Sequence, residues 1–153
     1  MAVMRKGDPD PQMVRAGRAL ALAARAVEKA AVACDLTLPQ YRVLAMIAAG
    51  DERSSLLADR LAVAKPTITA VVDGLVDRGM VAREAVAGDR RSIRVALTPD
   101  GRSALRAAEI AMTEVLTRIS GEAADPERLI AALCDLDDAL AARSQARLRE
   151  VRA

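Results

Sequence analysis

The chain contains no histidine, no phenylalanine and no tryptophan, and a single tyrosine, Tyr41. Each absence excludes something. Without histidine, neither a Ser-His nor a Cys-His nucleophilic arrangement can be built. The commonest nitrogen ligand of transition metals is missing as well. Cys34 and Cys134 are the only cysteines, and they form no C-x-x-C pair, which argues against a disulfide framework and a zinc site. There is no phosphate-cradling glycine loop and no dinucleotide fingerprint. The expectation is a protein that is not an enzyme and has no cofactor or metal. No run is apolar for long enough to span a membrane. The opening M-A-V-M-R-K-G-D-P-D-P has charge but no apolar stretch behind it, unlike a secretory leader. A cytoplasmic protein with reduced thiols and no membrane partner is expected.

What is present is small and aliphatic. Of 153 residues, 52% are hydrophobic, mostly Ala, Leu and Val. That length suits one domain, or a small domain with appended helices. A core without rings is built by close helix packing on small side chains, and Ala is the best helix former. The net charge of +2 is unevenly spread. Between Arg78 and Arg106 seven arginines face Glu84, Asp89 and Asp100, so that window is +4 and the remainder −2. Concentrated positive charge is the footprint of a polyanion binder.

The periodicity predicts a helix over Pro11–Ala33, with Val14, Leu20, Val27 and Ala31 at helical spacing. Asp35 to Pro39 breaks it, and Thr37 caps a second helix over Leu38–Ala49, stopped by Gly50. Ser54 or Ser55 caps a short helix through Leu61, and Ala62 to Ala64 form a turn. Pro66 then sits in a first turn, where its missing N–H costs nothing. Ile68, Val71, Val72, Leu75 and Val76 make the clearest amphipathic stripe in the chain, ended by Gly79. The period then changes to two. Val81–Val86 and Ser92–Leu97 read as strands, with Gly88 and Asp89 supplying the turn. Thr98-Pro99-Asp100 starts a helix with Leu105, Ala108, Met112, Val115, Leu116 and Ile119 on one face, closed by Ser120-Gly121. Asp125-Pro126-Glu127 starts a last helix with Leu129, Leu133, Leu136 and Leu140 in register. The fold class is mainly α with a small β-hairpin.

Residues 54 to 97 thus read helix, tight turn, helix, hairpin, which is a helix-turn-helix with a wing. Its second helix suits the major groove of double-stranded DNA. The face opposite the apolar stripe carries Lys65, Pro66, Thr67, Thr69, Ala70 and Asp73. These are short enough to let a backbone approach, and threonine hydroxyls reach base edges or phosphates. On the wing stand Arg90, Arg91 and Arg94. Arg91 is the candidate for insertion into a narrow minor groove, where the potential is most negative. Arg90 and Arg94 are assigned to phosphates. Asp89 orients a neighbouring arginine through a charge-assisted bond.

Four stretches carry a resemblance to a known family. They are L-T-L-P-Q-Y-R-V-L (36–44), L-A-D-R-L (57–61), K-P-T-I-T-A-V-V-D-G-L-V-D-R-G-M-V-A-R (65–83) and D-R-R-S-I-R-V-A-L-T-P-D-G (89–101). Together they resemble the MarR family of winged helix-turn-helix regulators. The resemblance implies a winged domain over 36–98 and a helical dimerisation region over 11–35 and 99–150. It implies a homodimer in which the stripes Leu105–Ile119 and Leu129–Leu140 form dimer core, reading a pseudo-palindromic operator. It also implies a repressor released by a small effector, commonly a lipophilic or phenolic anion. An effector pocket here would be lined by aliphatics, methionines, Tyr41 and arginines. The chain departs from the family at Ala64, where many relatives have a capping Ser or Thr, and at Ala70, where many have arginine.

Two other readings stand beside this one. Cys34 and Cys134 permit a thiol-based redox-sensing regulator, with a bridge between subunits. Against that stands the plain role of small buried hydrophobes. A winged-helix module that binds protein is the other, but apolar or acidic residues would be expected on its wing.

Overall fold

A computed structural model describes residues 9–50, 57, 64–86 and 89–152, the side chains of 86–93 and 148–152 excepted. The order is α1 (Pro11–Ala33), α2 (Leu38–Ala48), α3 (Lys65–Asp77), β1 (Val81–Val86), β2 (Asp89–Leu97), α4 (Pro99–Gly121) and α5 (Pro126–Arg152). The short helix expected from Ser54 or Ser55 to Leu61 lies outside the described residues except for Leu57, which is helical and buried.

Local chemistry sets each boundary. The carboxylate of Asp10 caps α1 by accepting from the Gln12 N–H at 2.8 Å. At its other end Leu36 N–H donates to Ala31 O and Asp35 N–H to Val32 O. This is a Schellman stop with Asp35, at φ 58°, in the place glycine usually takes. Asp tolerates that region better than most residues. Thr37 and Gln40 then form a capping box, each side chain accepting from the other's N–H. Helix α3 ends in a second Schellman stop, with Gly79 at φ 69°. Thr98 caps α4 through the Gly101 N–H, and Asp125 accepts from the Arg128 N–H at the head of α5.

The core lies where α2, α3, the hairpin and the first half of α4 meet. Leu36, Val43, Leu44, Ile47, Leu57, Ile68, Val72, Leu75, Val81 and Val95 are buried, joined by Leu105, Ala108 and Met112 of α4. Two expectations change here. Strand β2 starts at Asp89 rather than Ser92, because Asp89 already pairs with Val86 and the register shifts between Ala85 and Val86. Asp89 therefore belongs to the ladder, while Gly88 lies outside the described residues. Helix α4 closes at Ser120-Gly121, as expected, with Glu122 as its cap. The stripe on α4 is divided. Its first half fills the core of its own chain, and exposure begins further on, with Ile119 43% exposed.

The outer helices are different. Among the described side chains, α5 buries none, and Ile130, Leu136 and Leu140 are exposed, as are Met13, Leu20 and Leu22 on α1. No described helix is long and apolar enough to cross a membrane.

Candidate nucleic-acid interface

Helix α3 divides its residues as its period demands. Ile68, Val72 and Leu75 point into the core, while Lys65, Pro66, Thr67, Thr69 and Ala70 are exposed along the opposite face. No side chain caps its N-terminus. Ala64 occupies the cap position, and only its carbonyl is used, accepting from Thr67 and Ile68. The positive end of the helix dipole, with Lys65 beside it, favours an anion. Thr69 turns its hydroxyl proton back to the Lys65 carbonyl at 3.0 Å. Its oxygen lone pairs stay available as acceptors.

Asp73 was expected on the DNA-facing surface. It is half-buried, and its carboxylate is held by the guanidinium of Arg83 on β1. The reason is helical phase: Asp73 follows Val72 and lies on the flank nearest the hairpin. Sequence reasoning missed Arg83 as its partner. The signal was its position two residues after Val81, on the same face of the strand.

The wing stem carries a second pair. Glu84 stands opposite Arg94 in the ladder, and its Oε2 accepts from both Arg94 Nε at 2.9 Å and Nη2 at 2.8 Å. Arg94, expected at a phosphate, thus shares its charge with Glu84. Asp89, Arg90 and Arg91 lie on the β2 backbone, and their side chains fall outside the described residues.

The end of α3 is gripped from two sides. Arg78 donates to Asp35 at 2.6 Å and to Gln40 Oε1 at 3.3 Å, reaching the α1–α2 corner. On the other side Thr98 Oγ1 donates to the Gly79 carbonyl at 2.7 Å, and Thr98 N–H to the Met80 carbonyl at 3.1 Å. Gly101 is buried here. A Cβ on it would lie 1.9 Å from the Met80 carbonyl oxygen. The Leu-Thr-x-x-Gly stretch at 97–101 is therefore a joint between the hairpin, the end of α3 and the start of α4.

A cleft of about 510 Å³ opens beside that joint, walled by Ile47, Val95, Leu97 and Leu105 with Arg102, Arg106 and Glu109 at its polar side. Arg102 also donates to the Leu97 carbonyl at 2.8 Å. Neither a methionine nor Tyr41 lines it. Tyr41 is half-buried elsewhere on α2. Burial, and then the charges of Glu109 and Asp137, raise its phenol above the usual range.

Cys34 is half-buried at the end of α1, packed against the core, whereas Cys134 is exposed on α5. The buried-hydrophobe role thus fits Cys34 and not Cys134 within one chain.

Residues 35–92 match the sequence model of the MarR family. CouR from Rhodococcus jostii RHA1, solved bound to p-coumaroyl-CoA, is 25% identical and superposes with a TM-score of 0.71, over 86% of this chain and 92% of that one. The MarR family protein Rv2887 of Mycobacterium tuberculosis, in complex with salicylic acid, is 27% identical with a TM-score of 0.69, over 84% and 96%. The M. tuberculosis transcriptional regulator MOSR, in complex with DNA, is 27% identical with a TM-score of 0.60, over 87% and 98%. None of the curated proteins matches. Residues 35–92 are thus a MarR family segment, set in a winged helix-turn-helix fold that the chain shares with MarR family transcriptional regulators.

Proposed function

We propose that the protein is a sequence-specific double-stranded DNA-binding repressor that acts as a homodimer and is released by a small anionic effector. One observation carries the DNA reading. The exposed face of α3, with Lys65, Thr67, Thr69 and Ala70, stands beside a wing that carries Arg90 and Arg91. The helix enters the major groove, Lys65 and the positive helix end hold a phosphate, and the threonines meet base edges. Arg91 enters the minor groove, Arg90 and Arg94 meet phosphates, and Asp89 steadies them. With Ala at 64 and 70, discrimination leans on Thr67, Thr69 and the wing. That MOSR is solved with DNA supports this reading.

The dimer reading rests on the bare apolar faces of α1 and α5. Leu22, 74% exposed, and Leu140, 56% exposed, lie on faces that the described residues of one chain leave uncovered. In this reading residues 11–35 and 99–150 form the dimerisation region and 36–98 the reading domain.

The effector reading rests on the cleft. It has aliphatic walls and two guanidinium groups, which suit a carboxylate on an apolar body. CouR with p-coumaroyl-CoA and Rv2887 with salicylic acid support that chemistry. A ligand there touches α2, β2 and α4 together. By preferring one of their arrangements it would shift the population away from the DNA-competent form.

The test is fluorescence anisotropy with the DNA upstream of its own gene against random duplex, across a salt series. Preferential binding that falls steeply with salt is expected. No binding to any duplex at low salt would overturn the reading in favour of a protein partner.

A further inference from the structure

The ladder register places Val81, Arg83 and Ala85 on one face of the hairpin, opposite Leu97, Val95 and Ile93. Val81 and Val95 are buried, so this is the core side. Arg83 is the single charge among those six residues, and its guanidinium meets Asp73 on α3. Glu84 and Arg94 pair on the other face. The two stem arginines therefore differ in kind. Arg94 closes a pair within the hairpin, whereas Arg83 crosses to the reading helix.

We propose that Asp73 is a positioning residue: it touches no base, and by holding Arg83 it sets the wing's angle to α3, so that helix and wing meet one duplex together. The inference rests on the DNA-binding reading above. A two-stranded hairpin is marginal by itself and takes its orientation from what it packs against. Near the joint, Val81 and Val95 supply that packing. Further out the ladder shifts register at Ala85/Val86, and the Arg83 bond ties the stem to the helix just before that irregularity.

The sign of one substitution separates this role from the simpler one. A carboxylate near a phosphate backbone repels it, so if Asp73 only stood by, Asp73→Asn would strengthen binding. A positioning role gives the opposite sign. The probe is a duplex selected by the wild-type chain from a random pool, titrated by anisotropy across a salt series. Asp73→Asn is expected to bind about three- to fivefold more weakly, with a shallower salt dependence because wing contacts are lost. Asp73→Glu, which keeps the carboxylate, is expected to return close to wild type. Adding Asp73→Asn to Arg83→Gln is expected to cost nothing further, since the pair is already broken. The partners are half-exposed, so melting temperatures should move little, and the melts identify any variant that fails to fold. Asp73→Asn binding as tightly as wild type or tighter, or losses that simply multiply in the double variant, overturns the positioning role alone. Wild type selecting no duplex overturns it together with the DNA-binding reading.

Discussion

The hydroxyl of Thr98 donates to the carbonyl of Gly79 across 2.7 Å, so the residue that caps α4 also grips the turn that ends α3. The same oxygen accepts from the Gly101 N–H at 3.0 Å. One side chain thus satisfies an orphan donor of one helix and ties down the turn that follows another. Helix α3 and the long α4 are thereby coupled through the Thr98 hydroxyl and N–H.

Gly101→Ala is expected to destabilise the fold by about 3 kcal/mol or more. Its Cβ would meet the Met80 carbonyl oxygen, which is backbone and itself accepts from Thr98, so it cannot step aside cheaply. Thr98→Ala removes the cap and the tether and should cost ~1–2 kcal/mol. Chemical denaturation read by circular dichroism checks both. Equal stability of Gly101→Ala and wild type would contradict the joint.

Ala64→Ser is expected to act in the other direction. The N-terminus of α3 has no side-chain cap, so a serine there can accept from an orphan N–H and gain ~0.5–2 kcal/mol. A thermal melt reads the gain directly. An unchanged melting temperature would mean that those donors are already satisfied.

Arg91→Ala should reduce DNA affinity far more than stability. An arginine in a narrow minor groove contributes to binding and its salt dependence, not to the core. Anisotropy titrations beside thermal melts separate the two. A variant that binds as wild type at every salt concentration would remove Arg91 from the interface.

Leu140→Glu is expected to convert a dimer to monomer. Leu140 is 56% exposed within one chain, and a carboxylate on a face that pairs with a second copy would be buried without a partner. Sedimentation velocity on wild type and variant decides this. A wild type that is monomeric at micromolar concentration would refute the dimer.

Tyr41 is the only phenol in the chain, so alkaline titration of ultraviolet absorbance reads it alone. Burial first, with Glu109 and Asp137 adding to it, disfavours the phenolate, so the folded protein titrates above the usual tyrosine value of 10.0. The unfolded chain loses that proton first. The contribution to stability is therefore whole below the ordinary value and lost as pH rises through the raised one. Tyr41→Phe should flatten the alkaline fall in stability. A folded titration at or below the unfolded one would show the phenolate to be stabilised instead.

Local order was settled by the sequence itself. The stripe Ile68 to Val76, the caps at Thr37 and Thr98, the stop at Gly79 and the strand Val81–Val86 all depend on residues within a few positions of one another, and each stands where periodicity and capping chemistry put it. The exposed face of α3 was legible for the same reason. Tertiary structure decided the partners. Asp73 pairs with Arg83, ten residues on, and Arg78 reaches back to Asp35 across 43, because helix phase and strand register brought those charges within reach. The graded burial of the α4 stripe, from buried Leu105 to exposed Ile119, and the cleft beside Arg102 and Arg106, also arise only when α2, the hairpin and α4 are packed together. Spacing along the chain fixes the phase of one element, but not which neighbour stands across from it.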